Sequence, residues 1–242
     1  MHITNTEVCG LSHAIRGIRN NRNTWDKSDS YYDPNLNRYI LGADDFKLMC
    51  KLAIAGGAHA KFMRYIVVYC DIEAPMYWWK EADTYKVGTV RNSTSTMNTI
   101  MKKEFDINDF AHHAIGDARG TLDMVIVRLN DLRRQYIDIN THIKDMDDSD
   151  EKIKLSREAR DIWYALIQLL PSSYLQKSTM MMNYQVLRNI YPDRRNHKLD
   201  EWHYFCEWIE HDLPYYELIT CTSVDEALKH EYGESSSFSP NL

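Results

Sequence analysis

The sequence predicts an α+β chain in which helices dominate and pack on a small, mostly antiparallel sheet. Apolar residues recur at helical spacing over 117 to 139 and again over 151 to 169, the pattern of amphipathic helices. "RYIVVYCDIEA" is dense in β-branched and aromatic residues, which suit a pleated, half-buried surface. The full list of elements holds few strands and many helices, which is the composition of an α+β domain.

In chain order, "HITNTEVCG" alternates well enough for a first strand, and "LSHAIRGIRN" reads as a short helix. Residues 20 to 43 are polar, aromatic and rich in turn formers. A connection of that length is usually functional or disordered, and Trp25, Tyr31, Tyr32 and Tyr39 favour an ordered loop or lid. "ADDFKLMCKLAIAGG" is a helix, with Asp44 and Asp45 in the first turn and Gly56-Gly57 as its stop. "RYIVVYCDIEA" is the clearest strand and ends at Pro75. "PMYWWKEADTYK" then places proline at a first helical position. Two long helices follow, joined by the acidic turn "KDMDDSDEK", a solvated segment. "SSYLQKSTMMMNYQVLRNIY" reads as one helix capped by Ser172 or Ser173, which Pro192 should break. "KLDEWHYFCEWIEHDL" is the last substantial helix, and "GESSSFSPNL" reads as a disordered tail. One domain over 1 to 232 with a disordered tail over 233 to 242 is the expected organisation.

Composition narrows the function. The 242 residues are 44% hydrophobic and 26% charged, ordinary for a chain able to bury a core. Lys plus Arg is 29 against 35 for Asp plus Glu, a formal balance of 29 − 35 = −6. Such a chain does not advertise nucleic acid or an anionic membrane as its partner, although a local basic pocket for one phosphorylated ligand remains compatible. The five cysteines, Cys9, Cys50, Cys70, Cys206 and Cys221, form no C-x-x-C pair. Buried free thiols in a reducing cytosol are expected rather than a disulfide framework or a zinc site. The N-terminus "MHITNTEVCGLSHAIRG" has no apolar core of signal-peptide length. No apolar run approaches the ~18 residues that span a bilayer. A soluble, cytoplasmic protein is the expectation.

The common catalytic signatures are missing: there is no Walker loop, no G-x-G-x-x-G, no H-E-x-x-H and no G-x-S-x-G. His112 and His113 are adjacent, and adjacent residues on a helix do not share a face, so no metal is assigned to them. Met180, Met181 and Met182 read as adaptable core packing. Trp78 and Trp79 read as packing more readily than as a cover for a ring ligand. Two stretches carry more. One is "APMYWWKEADTYKVGTVRNSTSTMN", where Arg91 stands beside a run of hydroxyl and amide side chains. The other is "LLPSSYLQKSTMMMNYQVLRNIYPDRRNHKLDEW", where Asn183, Gln185 and Asn189 precede Arg194-Arg195. Guanidinium groups suit phosphate, amides suit a base edge and aromatics suit stacking, so together these stretches fit a nucleotide.

These segments resemble the flavin-dependent thymidylate synthases, the ThyX family, over roughly residues 44 to 210. The resemblance rests on His59 in the turn before the strand, Ala74-Pro75 at its end, then Thr84-Tyr85-Lys86 in the place of an Arg-His-Arg signature. After seven intervening residues, 87 to 93, comes Thr94, flanked by Ser93 and Ser95. Leu170-Pro171, Thr179, Asn183-x-Gln185-x-Leu187 and Arg194 complete the match. Gln168, Asn92 and Thr96 stand where the family has Arg, an acidic residue and Arg.

The resemblance implies a ThyX-like fold and a homotetramer with sites at subunit junctions. It implies reductive methylation of the pyrimidine nucleotide dUMP to dTMP, with FAD as cofactor and methylenetetrahydrofolate and NADPH as co-substrates. Arg194 would be the catalytic residue. Arg91, Ser93, Thr94, Ser95 and Arg195 would bind substrate. His59, Thr84, Tyr85, Lys86, Asn92, Asn183, Asn189 and His197 would hold the cofactor. The altered signature leaves two alternatives open: a related flavin enzyme acting on another pyrimidine nucleotide, and a non-catalytic nucleotide-binding protein on the same fold.

Overall fold

The computed structural model describes residues 1 to 233; the tail expected to be disordered lies, from residue 234 on, outside them. Strand β1 (His2–Cys9) leads into helix α1 (Leu11–Asn20) through Gly10. Glycine is required there: φ is +94°, and a Cβ would stand 1.8 Å from the Tyr65 carbonyl oxygen. The long polar connection over 20 to 43 is ordered and carries a hairpin, β2 (Tyr31–Asp33) paired antiparallel with β3 (Arg38–Ile40). Its anchor is Asp45 in the first turn of α2 (Ala43–Ala55). The buried Asp45 carboxylate accepts from Arg19 Nε at 2.8 Å, Ser28 Oγ at 2.5 Å and Ser30 Oγ at 2.7 Å.

A 3₁₀ segment over His59–Tyr65 precedes β4 (Val67–Pro75), whose inward residues Val68, Cys70, Ile72 and Ala74 alternate as expected of a strand. Pro75 is the last residue of β4, and α3 (Met76–Ala82) begins one residue later than the sequence predicts. Next come β5 (Val90–Ser93), the single turn α4 (Thr96–Thr99), and the long helices α5 (Arg119–Lys144) and α6 (Asp150–Leu169). Ser149 caps α6, accepting from Lys152 N.

The predicted single helix over 172 to 191 is corrected. Its first half is strand β6 (Leu175–Asn183), and helix α7 (Tyr184–Arg194) starts only after it. Ser178, Met180 and Met182 are buried while Lys177 and Thr179 are exposed, a period of two that a helix cannot place on one face. Nor does Pro192 break α7. It sits in the last turn, where one missing N–H leaves a single carbonyl unserved, and Arg195 N still donates to Tyr191 O at 2.9 Å. Helices α8 (Asp200–Asp212), α9 (Glu217–Thr220) and α10 (Val224–Tyr232) finish the described chain. The four-stranded sheet has the order β1-β4-β6-β5. Helices outweigh this small antiparallel sheet, as predicted.

The chain forms two compact units. One comprises Glu73–Glu81 and Ser93–Ser178, with Met1; the other comprises His2–Ile72, Ala82–Asn92 and, of the described residues, 179 to 233. In the first, α5 packs along α6 and Phe105, Phe110, Leu122, Leu129 and Leu166 form the core. Trp78 and Trp79 are both buried there, edge to face at 4.8 Å, and Trp79 Nε1 donates to Gln176 O. In the second, α2, α7, α9 and the 3₁₀ segment pack together, with Phe46, Met49, Phe62 and Leu187 fully buried. No helix of the described residues is long and apolar enough to cross a membrane.

Candidate active site

The second unit brings together the C-terminal end of α7, the start of α8 and the turn between α3 and β5. Asn183 sets the start of α7. It lies outside the helix rather than on its face, and its Oδ1 caps by accepting from Val186 N at 3.0 Å. Gly88 makes room for this cap. Its φ is +80°, and a Cβ there would lie 2.9 Å from Asn183 Nδ2 and 3.0 Å from Val186 Cγ2. At the far end, Arg194 is the last helical residue, half-buried. Its Nε donates to the Tyr85 hydroxyl at 2.7 Å. Its guanidinium carbon lies 4.5 Å from the centre of the Trp202 ring and 5.4 Å from that of Tyr85, within cation–π range. His197, half-buried, accepts at Nδ1 from Leu199 N at 3.2 Å, with its ring 6.3 Å from Trp202. Arg194, Tyr85, His197 and Trp202 therefore form one cluster.

Most of the other candidate residues are exposed. Arg195 is exposed, with its guanidinium 5.4 Å from the Tyr191 ring. Asn189 is exposed and accepts from Gln185 Nε2 at 3.4 Å. Thr84, Lys86 and Asn92 are exposed. Arg91 Nη1 reaches both oxygens of Asp83 at 2.8 Å, so part of its charge is already answered by a carboxylate. The hydroxyl run belongs to the first unit. Ser93 closes β5, Thr94 N donates to Lys177 O at 2.8 Å, and Ser95 O accepts from Thr99 N at 3.1 Å as α4 begins. The Thr94 amide is thus committed to the backbone, while the three side chains are exposed. Thr179 has a structural partner, donating to Asp71 Oδ1 at 2.6 Å.

His59 opens onto a cleft of about 1170 Å³ in the second unit. Arg22, Lys51, Lys61 and Arg64 line it together with Phe62 and Tyr65. Four cations beside the exposed Tyr65 ring suit an anionic ligand with a flat body. The sequence reading singled out His59 alone; the basic residues around it were the available signal, but they come from three separate elements. Trp202 lies near the start of α8, and its place against Arg194 comes only with the fold. Among the described residues no group of His, Cys, Asp or Glu is placed to hold a metal ion.

No protein-family model matches the chain, and no curated protein matches it in sequence. Solved structures do share its architecture. One is the flavin-dependent thymidylate synthase ThyX from Helicobacter pylori complexed with FAD and dUMP, 16% identical with a TM-score of 0.58, the match covering 90% of this chain and 96% of that one. Another structure of ThyX from the same organism, also with FAD and dUMP, is 16% identical with a TM-score of 0.60, covering 95% of this chain and 100% of that one. The chain has the fold of these enzymes.

Proposed function

We propose that the protein is a flavin-dependent thymidylate synthase-like enzyme that converts dUMP to dTMP with methylenetetrahydrofolate and NADPH, through FAD, as a homotetramer. The observation that carries this reading is Arg194. It lies 194 − 183 = 11 residues after Asn183, the spacing on which the resemblance rests, and it ends a helix whose start that same Asn183 caps. A guanidinium held at a helix end by a hydroxyl and an indole face can present donors to a pyrimidine carbonyl. Preorganised donors of this kind stabilise charge that develops on the ring as it reacts, an effect commonly worth ~2.7–4 kcal/mol.

The residues of the His59 cleft fit FAD. Lys51, Lys61 and Arg64 offer charge for a pyrophosphate, and the exposed Tyr65 offers ring area. Bound FAD would supply the hydride that completes the methyl group. Lys86, Thr84, Asn92, Asn183, Asn189 and His197 remain the proposed cofactor contacts. Arg91, Arg195 and the hydroxyls of Ser93, Thr94 and Ser95 remain the proposed substrate contacts, in an assembly whose sites draw on more than one subunit. Neutral hydroxyls hold phosphate more weakly than charged donors, so the nucleotide should depend more on the arginines than on the serines.

The test is turnover by the purified protein of dUMP, methylenetetrahydrofolate and NADPH, with deoxycytidylate as the comparison. A yellow, FAD-loaded protein that makes dTMP supports the reading. A colourless protein that does not take up FAD overturns it.

A further inference from the structure

We infer that Tyr85 is a positioning residue: its hydroxyl and the Trp202 indole clamp the Arg194 guanidinium in one orientation. The inference rests on the reading that Arg194 acts on the substrate, and it gives Tyr85 a task other than touching the cofactor. An arginine works as a rigid fork only while its plane is held. Here two contacts hold it in different ways. The 2.7 Å bond from Nε to Tyr85 Oη restricts rotation within the guanidinium plane. The Trp202 ring, 4.5 Å away, restricts the tilt of that plane.

Both jaws are themselves fixed. Tyr85 N donates to Ala82 O at 3.1 Å, and Tyr85 O accepts from Thr89 Oγ1 at 2.7 Å. The Tyr85 ring meets Trp202 edge-on at 6.1 Å. Trp202 is only 1% exposed and meets Phe205 edge-on at 5.6 Å. Tyr85 and Trp202 are neutral groups, so they orient the guanidinium by direction rather than by charge.

Tyr85→Phe tests the clamp, because it keeps the ring and deletes the acceptor. Steady-state turnover of dUMP and hydrogen exchange of the Arg194 Nε–H, assigned by its absence in Arg194→Lys, are the two readouts. We expect kcat to fall about ten-fold, as for loss of one hydrogen bond to a charged group, with KM for dUMP and FAD loading within about two-fold. The Nε–H should exchange slowly in the natural protein and rapidly in the variant. Unchanged kcat, or a loss of FAD loading that accounts for the whole defect, would overturn the inference. If the natural protein turns over no nucleotide, the functional reading fails separately, and the exchange measurement still decides the clamp. Tyr85→Leu serves as the second variant should Tyr85→Phe not fold: rapid exchange supports the clamp, and a protected Nε–H overturns it.

Discussion

Arg194 and Arg91 look alike in the sequence, each a cation beside amide or hydroxyl side chains, yet they are held in opposite ways. Arg194 ends a capped helix, bonded to a phenol and seated over an indole. Arg91 lies on a short strand with Asp83 taking both bonds of one nitrogen. A phenol and an indole fix the plane of a guanidinium; a carboxylate also answers part of its charge. The sequence neighbourhood of an arginine thus says little about its availability, and the partner brought to it by the fold says much more. Arg19 marks the far end of this scale. It is 7% exposed and bonded to the fully buried Asp45, so its charge is entirely structural.

That scale makes graded predictions. The largest effect belongs to the structural arginine. Asp45→Ala would leave Arg19 buried without its carboxylate and free Ser28 and Ser30. We expect a loss of ~3–5 kcal/mol in denaturant unfolding, with residues 20 to 43 becoming sensitive to protease. The same site sets a pH dependence. Burial alone would raise the Asp45 carboxyl, but the bonds from Ser28, Ser30 and Arg19, with the Arg19 charge, outweigh it and hold the group below its ordinary value. A depressed folded pKa means the contribution is complete above about 3.9, the ordinary carboxylate value, and is lost as pH falls below it. The stability gap between natural protein and Asp45→Ala should therefore narrow on acidification; a gap constant down to pH 2 would refute the assignment.

Gly88→Ala comes next, and it probes the support of Arg194 rather than Arg194 itself. A side chain at φ +80° that meets Asn183 and Val186 should cost ~1–3 kcal/mol and loosen the cap of α7. Thermal melting of the variant at the natural temperature would count against that role for Asn183. The smallest effect belongs to Arg91→Ala. Asp83 is 54% exposed, so loss of the pair should cost at most ~1 kcal/mol. Any change in turnover should appear in KM for dUMP, leaving kcat intact; a collapse of kcat would erase the distinction between the two arginines.

Much of the fold was legible because its signals are local. β4 has β-branched residues, α2 has first-turn acids and a glycine stop, and α5, α6 and α8 follow the helical period. The strand over 175 to 183 was not legible, since Gln176, Lys177 and three methionines favour helices and the half-buried Met181 blurs the alternation. Pro192 misled for a different reason: a proline in the last turn removes a bond that matters little there. The ordering of residues 20 to 43 depends on Asp45, which reads as a first-turn helix acid and whose partners sit 15 to 26 positions away. In the site, the spacing of Asn183 and Arg194 was readable along the chain. The Tyr85 bond spans 109 positions, and the cations of the His59 cleft come from separate elements, so neither could be seen before the chain was folded.

The central claim is that Arg194 acts on the substrate. Single-turnover formation of dTMP by FAD-loaded Arg194→Ala tests it most directly, because flavin content is fixed before the reaction starts. The rate should fall ~10²–10³-fold while FAD loading and melting temperature stay near those of the natural protein. A folded, FAD-loaded variant that reacts within about three-fold of the natural rate would contradict the claim, since exposed ion pairs and helix-end contacts at this position would be worth no more than ~1 kcal/mol of stability.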